Sequence, residues 1–366
     1  MRRPLRTLVL VVTAATNACG STSPGGTAPG GTSVAPSSAA SLTAAPALPV
    51  TAASSSVSWH DATWTRHPIA WDTVALTSAP RPSPRWTLRI AEAGADQRAV
   101  FGTSRSDVWI GSANGSLLRT RDGGTTFQRA RLDDGEGVTS IWAVDPNDVW
   151  VLGEHHLHRI ENGALLATLS ARLDNHGHGR VWGVSANELW IASGRLVHTD
   201  DSGASWTPLD LGAAQATSDV WARSRSDVWV EVPFGVLHGT DAGATWAPTS
   251  LLISVEDSFH VRGAGASEVW IVGAFGGPAV SENGGASWRR SELPSRRSGA
   301  PPTTTWTDLW PTAGAVWAAT SAGLWSRMRS GPWQRALETR DVSSLWASGP
   351  NDVWAVGRMG QILHGG

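Results

Sequence analysis

The sequence predicts an all-β fold, a seven-bladed β-propeller whose blades are four-stranded antiparallel sheets. A short phrase, an acidic or small residue followed by Val or Leu and then Trp, recurs at a spacing of about forty residues, which is the period of one blade. Most copies carry a second aromatic residue before the Trp, and turn-forming residues fill the gap between the two. The phrases end at Trp109, Trp150, Trp190, Trp229, Trp270, Trp317 and Trp354.

Each repeat is expected to hold four strands. The first carries the preceding aromatic and the second carries the Trp, as with Trp142 and Trp150 on either side of the turn at 145–148. A third strand such as 116–119 follows, then a Gly-rich turn and a fourth strand that opens with an aromatic such as Phe127. Arg262 replaces the first-strand aromatic of the fifth repeat; the others are Phe101, Trp142, Trp182, Trp221, Trp310 and Trp346.

The seventh repeat ends with the sequence, after its third strand. Trp86 precedes Phe101 by the same interval that separates Phe127 from Trp142, and the segment 86–90 alternates like a strand. We therefore expect an N-terminal strand to complete the last blade and close the ring. This assigns residues 85–366 to the propeller and leaves 57–84 as an unassigned N-terminal extension.

The first residues are typical of an export signal. Three arginines precede a short apolar run, and Thr16-Asn17-Ala18-Cys19 resembles the processing box of bacterial lipoproteins. We expect residues 1–18 to be a lipoprotein-type signal peptide and Cys19 to carry lipid; the alternative is an ordinary secretory signal with an incidental Cys. Residues 19–56 carry no charge and are rich in Ser, Thr, Ala, Gly and Pro, which predicts a disordered tether. The resemblance implies a protein anchored at the cell envelope, at the outer membrane of a Gram-negative bacterium.

The composition restricts the classes of partner that the chain is expected to bind. The formal net charge is −2 and all 29 basic residues are Arg, so the chain offers no excess of positive charge for nucleic acid. No apolar run long enough to span a bilayer follows the N-terminus, so contact with the membrane is expected only through the lipid anchor. We expect a monomer without a cofactor.

Four turns between third and fourth strands share an Asp or Asn, a Gly two residues later and an aromatic three residues after that, and two of them match Ser/Thr-x-Asp-x-Gly-x-x-aromatic in full. This pattern resembles the Asp-box of bacterial BNR-repeat propellers, so the chain is similar in plan to the Ycf48-type assembly factors and to sialidase-superfamily propellers. The resemblance implies a structural turn away from the ligand face, and an Asp that holds turn N–H groups agrees with that. The box residues are Asp122, Gly124 and Phe127; Asp201, Gly203 and Trp206; Asp241, Gly243 and Trp246; and Asn283, Gly285 and Trp288.

No catalytic constellation stands out. The sialidase mechanism needs a Tyr nucleophile, and the chain has no Tyr. The function predicted is non-catalytic binding of an envelope protein or glycan through the loop face, where fourth-to-first-strand crossovers and second-to-third-strand loops gather. The alternative is a glycoside hydrolase or lyase of the BNR-repeat type that uses two loop carboxylates; the candidates are Asp133, Asp134, Asp174, Glu256 and Asp257.

Arginine and histidine give the remaining candidates. Arg262, with Arg296 and Arg297 on the longest crossover, is a candidate acceptor for a carboxylate-bearing partner or an acidic glycan; the alternative is repeat drift, with Arg262 stacked on a neighbouring ring. His158, His198, His238 and His364 recur one per repeat and are expected to be structural. A metal site is expected nowhere; its weak alternative is His155 or His156 with His176 and His178.

Overall fold

Seven antiparallel sheets, each with four strands from the repeat pattern, make up the structure, and this confirms the predicted seven-bladed propeller. The computed structural model describes residues 50–51, 69–80, 82–83, 85–91, 94–132, 135–169, 179–212, 214, 216–233, 235–249, 259–273, 277–291, 305–328 and 331–365. All of them belong to one compact unit, Ala45–Gly366. Among these residues, none forms a helix with the length and hydropathy that crossing a membrane requires.

The strands of the first four blades run from the channel outwards. Blade 1 consists of Gln97–Gly102, Val108–Ser112, Ser116–Thr120 and Phe127–Arg131. Blade 2 consists of Ser140–Asp145, Asp148–Leu152, Leu157–Glu161 and Ala164–Leu169. Blade 3 consists of Arg180–Gly183, Leu189–Ser193, Arg195–Thr199 and Thr207–Leu209. Blade 4 consists of Val220–Ser224, Asp227–Val232, Gly235–Thr240 and Thr245–Pro248, with a 3-10 turn at Asp241–Gly243.

The last three blades follow the same order. Blade 5 consists of Phe259–Ala264, Glu268–Gly273, Gly277–Ser281 and Arg289–Arg290. Blade 6 consists of Trp306–Pro311, Ala315–Thr320, Gly323–Met328 and Gln334–Leu337. Blade 7 consists of Val342–Gly349, Asp352–Gly357, Gln361–Gly365 and the N-terminal strand Trp86–Ile90, with a 3-10 turn at Arg358–Gly360.

The ring closes as predicted, because the strand Trp86–Ile90 pairs antiparallel with Gln361–Gly365. Trp86 lies opposite Gly365 and is 2% exposed. Its ring meets Trp317 of blade 6 edge-on, with the centroids 5.9 Å apart. One hydrogen-bonded ladder thus joins the two ends of the propeller.

Three blades carry a short fifth strand; two of these strands come from the N-terminal extension 57–84, and one comes from the segment 19–56, predicted to be a tether. Asp72–Val74 pairs with the outer strand of blade 1, and Thr77–Ser78 pairs with the closing strand of blade 7. Val50–Thr51 pairs with the outer strand of blade 4. Part of the unassigned extension therefore adds strands to the outside of the ring.

The second-strand tryptophans pack between neighbouring blades. Five of the seven meet the aromatic at the start of the outer strand of the next blade, as Trp150 meets Trp206 edge-on with the ring centroids 6.4 Å apart. Blade 2 has no such aromatic, and Trp71 from the extension takes its place. Trp71 meets Trp109 of blade 1 at 5.5 Å, and its indole N–H donates to the Gly163 carbonyl of blade 2 at 2.7 Å.

The first-strand aromatics fill the centre of the ring. Phe101 of blade 1 contacts Trp182, Trp310 and Trp346, and their centroids lie 6.0–6.5 Å from its own. Trp182 and Trp310 also touch each other, at 6.1 Å. Rings from blades 1, 3, 6 and 7 can meet only near the axis, so they close the channel at this level.

Three of the four Asp-box turns share one hydrogen-bond arrangement. In blade 1, the Thr120 hydroxyl donates to Asp122 and accepts the Gly124 N–H, while Asp122 accepts the N–H and hydroxyl of Thr126. Burial would raise the pKa of Asp122, but the bonds from Thr126 outweigh it and lower that pKa. The turn at Asp201 repeats these bonds. The turn at Asn283 repeats all but one, since its amide donates to the Ser287 hydroxyl instead of accepting from it.

The fourth box is different. Gly239 stands where the others have Ser or Thr, so the hydroxyl that organises the turn is missing. The segment forms a 3-10 turn instead, and Asp241 takes a positive φ of 52°. Trp246 packs over Gly239, where a Cβ would collide with the ring.

The histidine register needs one correction. His198, His238 and His364 lie opposite the second-strand Trp and bind the acid that begins that strand, but in blade 2 Arg159 holds this position. His158 lies one place further and faces Val151. The sequence groups His158 with the other three because it also precedes a turn Gly by five residues. That spacing misleads in blade 2, because its third and fourth strands are joined by a two-residue turn, with positive φ at Asn162 and Gly163.

Candidate functional site at the channel mouth

A polar cavity of about 1060 Å³ opens at the end of the channel where the first strands begin. Every blade contributes to its wall, from Ala99 in blade 1 to Ser344 in blade 7. Loops of the predicted loop face also line it, including Glu154 and His155 between strands and Gly179, Thr305 and Asp341 at crossovers. The central aromatic rings lie deeper along the same strands.

The residues two positions before the first-strand aromatics form one layer just above them. Side chains two apart on a strand share a face, so this layer points to the axis like the rings below. Its members are Ala99, Ser140, Arg180, Asp219, His260, Asp308 and Ser344. Blades 3 to 6 thus place four ionisable groups side by side.

Asp219 is the centre of this layer and is 1% exposed. Nε of Arg180 lies 3.0 Å from its Oδ1, and Nδ1 of His260 lies 2.8 Å from its Oδ2. Nη1 of Arg262, one level below, donates to both oxygens at 3.0 and 2.9 Å. One buried carboxylate on blade 4 therefore joins side chains of blades 3 and 5.

The electrostatics of the cluster favour an ionised Asp219. Burial alone would raise its pKa, but Arg262, Arg180 and the hydrogen bond from His260 outweigh burial and hold that pKa well below its usual range. Burial and the nearby Arg262 charge lower the pKa of Arg180. Asp219 thus remains a carboxylate that orients three donors.

Glu231 lies beside this cluster in blade 4 and is 8% exposed. One of its oxygens accepts the backbone N–H and the hydroxyl of Ser218, at 3.0 and 2.9 Å. Burial nevertheless dominates and raises the pKa of Glu231. Ser218 also lines the cavity. Its hydroxyl donates to Glu231, so that proton is not available to a ligand.

The rim on the side of blades 1 and 2 carries two ion-pair groups. Arg98 bonds Glu154 at 2.8 Å. Glu136 accepts from His155 at 3.0 Å and lies 2.9 Å from Nδ1 of His156. Within the described ranges, no group of three or more His, Cys, Asp or Glu side chains has an arrangement suited to a metal ion. His176 and His178 of the weak metal hypothesis lie outside the described residues.

The Arg262 side chain is buried and is not exposed in the cavity to bind an anionic ligand. It is 1% exposed, and besides its bonds to Asp219 its guanidinium lies 3.7 Å from Asp308 and 6.0 Å from the Trp182 ring centre. Nε and Nη2 of Arg262 are buried and have no hydrogen-bond partner in the described part of the chain. Arg296, Arg297, Cys19 and the five candidate loop carboxylates fall outside the described residues.

Sequence reasoning selected Arg262 but missed Arg180, Asp219, His260 and Asp308. A signal was present, because all four occupy one repeat position that is Ala or Ser in the other blades. Ionisable residues at a repeat position near the axis are uncommon in a core and mark a site when they are adjacent around the ring.

Comparison with known proteins shows that the chain shares its fold with solved structures, but it does not show a family. Neither a protein-family model nor a curated protein sequence matches the chain. Among solved structures, YCF48 bound to a D1 peptide is 19% identical, with a TM-score of 0.59 and coverage of 80% of this chain and 99% of that one. A catalytically inactive virginiamycin B lyase from Staphylococcus aureus, solved with quinupristin, is 11% identical, with a TM-score of 0.63 and coverage of 81% and 99%.

A third similar structure is the extracellular domain of the one-component system BT4673 from B. thetaiotaomicron. It is 14% identical, with a TM-score of 0.59, and the match covers 76% of this chain and 40% of that one. At these identities the likeness shows a shared propeller fold. It includes a peptide binder, a lyase and an extracellular domain, so the fold alone does not select an activity.

Proposed function

We propose that this chain is a non-catalytic propeller of the cell envelope that binds a segment of a protein partner in the cavity at the channel mouth. The observation that carries the proposal is the cavity itself. It is large for a small-molecule site, all seven blades line it, and rings from four blades close the channel beneath it. Convergent polar groups on a rigid floor are what a binding site needs to fix the orientation of its ligand.

Two of the similar structures support a protein ligand outside the cytoplasm. One was solved with a peptide bound, and another is an extracellular domain. Export and lipid anchoring belong to the same proposal. They rest on the arginines and apolar run before Cys19, and on the uncharged segment that follows it. Cys19 would anchor the chain, with the outer membrane as its location.

The binding proposal is tested by capture and crosslinking with the full chain in envelope extracts. Ser343→Trp should block the cavity, because Ser343 is half-buried in its wall. Ala266→Trp is the matched control, since Ala266 is exposed on the turn between the first two strands of blade 5, at the opposite end of the channel. A partner that is lost with the first variant and kept with the second supports the proposal.

Two other results would count against it. A partner retained equally by both variants would place the interface away from the cavity. Binding in a glycan array that Ser343→Trp abolishes, without any protein partner, would favour a glycan ligand. Arg296 and Arg297 remain proposed contacts at the rim, and the double change to Ala should then weaken capture without lowering the thermal midpoint.

The alternative function is a hydrolase or lyase, and one observation favours it. Asp219 fixes Nδ1 of His260 at 2.8 Å, which leaves the other ring nitrogen of this cavity-lining His to act as a base. Turnover of a glycoside or lyase substrate panel that is lost in His260→Gln would establish it. Turnover that persists in this variant would direct attention to the candidate loop carboxylates.

A further inference from the structure

We propose that Arg180 binds a carboxylate of the ligand at the floor of the cavity. This inference rests on the proposed function, because it assumes that a protein segment enters the cavity. It assigns the ligand chemistry to Arg180 rather than to Arg262. Arg262 and His260 act through Asp219 as positioning residues.

Arg180 is placed between the buried cluster and the open cavity. It begins the first strand of blade 3, lines the cavity and keeps 18% of its side chain exposed. Its Nε lies 3.0 Å from Asp219, so the guanidinium is held at one edge. Among the described residues, the two Nη groups have no hydrogen-bond partner. Four N–H donors in a planar fork are therefore available towards the cavity.

The charge of Arg180 is only partly neutralised by Asp219. Arg262 donates to both oxygens of the same carboxylate, and His260 bonds one of them. The single negative charge of Asp219 therefore interacts with Arg180, Arg262 and His260 at the same time. Asp308 compensates Arg262 further, at 3.7 Å. Asp308 also acts on Arg180 through its charge, so geometry sets where an anion can enter: Arg180 lines the cavity, and its two Nη groups have no hydrogen-bond partner among the described residues.

The matching chemistry is a carboxylate. A guanidinium binds a carboxylate through two parallel hydrogen bonds, and an arginine already fixed by a buried acid loses little side-chain entropy on binding. The surrounding wall offers the Ser140 hydroxyl, which accepts the Val181 N–H and can donate its own proton to the same oxygens. The Ser344 hydroxyl already donates to Asp308. A peptide can supply the carboxylate from its C-terminus or from an Asp or Glu side chain.

Three synthetic octapeptide libraries distinguish these sources when selected on the full chain. The first has free C-termini and no Asp or Glu, the second has amidated C-termini with Asp and Glu, and the third is amidated without Asp or Glu. We expect retention from the first or second library, which identifies the source, and little from the third. Equal retention from all three would overturn the carboxylate proposal, and this comparison needs no variant.

The role of Arg180 is tested with the retained peptides. Arg180→Gln should weaken binding about ten- to a hundredfold, the range for loss of a charged hydrogen-bond pair. Arg195→Gln, an exposed arginine of the same blade outside the cavity wall, should leave binding unchanged. Arg180→Lys keeps a charge beside Asp219 and should give intermediate affinity; it replaces the Gln variant if that protein has a lowered thermal midpoint.

The outcomes separate the two proposals. Peptides that bind in the cavity, as shown by loss with Ser343→Trp, but tolerate Arg180→Gln and Arg180→Lys would refute the arginine assignment and keep the proposed function. Absence of retention from every library would refute both.

Discussion

Trp71 gives the sharpest test of how the N-terminal extension stabilises the ring. It lies outside the repeats, yet it meets Trp109 edge-on and bonds the Gly163 carbonyl, which joins blade 1 to blade 2. We expect Trp71→Ala to destabilise the propeller, because blade 2 has no aromatic of its own at this place.

The magnitude follows from the contacts. A fully buried Trp changed to Ala costs about 3–5 kcal/mol, and half-burial of Trp71 reduces this to roughly 2 kcal/mol. The lost indole hydrogen bond adds about 1 kcal/mol. The sum, about 3 kcal/mol, corresponds to a fall in thermal midpoint on the order of 5–10 °C for a domain of this size. Trp71→Phe keeps a ring and should lose only about 1 kcal/mol.

The assay is thermal unfolding followed by near-ultraviolet circular dichroism, with Thr73→Ala as the control. Thr73 is exposed on the adjacent short strand, so its loss should change the midpoint little. If Trp71→Ala shifts the midpoint no more than Thr73→Ala does, the extension does not contribute to the interface between blades 1 and 2.

Four further results are expected. Asp219→Asn should lower the free energy of unfolding by about 3–5 kcal/mol, since it removes the carboxylate that Arg180 and Arg262 share. The lowered pKa of Asp219 means that its carboxylate stabilises the fold fully above the ordinary carboxyl pKa and loses this effect as pH falls towards the lowered value. The denaturation midpoints of the wild type and the variant should therefore converge in acid. Trp86→Ala should cost about 3–5 kcal/mol in the same unfolding assay, more than any change in the exposed extension. Gly263→Ala should lower the midpoint through a clash of about 1–3 kcal/mol with an inter-blade ring, whereas Gly349→Ala meets open space and should not. Cys19→Ala should move the protein from the membrane fraction to the soluble envelope fraction, and retention in membranes would contradict the anchor.

The fold was predictable because the repeats agree with one another. Trp86 could be placed by counting from Phe101, since its strand keeps the spacing of the repeat, and its pairing with Gln361–Gly365 confirms the prediction. Trp71 could not be placed in this way. It belongs to no repeat, and its partners are set by how blades 1 and 2 meet in three dimensions.

The candidate site was predictable only in part. The loop face was chosen from propeller topology, and the cavity opens there. Arg262 was selected as an exception to the aromatic pattern, but its partner Asp219 stands in the preceding blade, and contacts between blades depend on the angle of the ring. The same limit applies to His158, because a shorter turn in blade 2 shifts its register by one residue.

The contact of Phe101 with Trp182, Trp310 and Trp346 makes the channel a blind-ended cup. A molecule that enters at the mouth can leave only by reversing its path, and an extended chain cannot be threaded through the ring. A polypeptide can reach the floor only with a free end or with a loop folded back on itself. The depth between mouth and rings therefore sets how many residues of such a chain the propeller can hold, and the far face can change in sequence without altering that length.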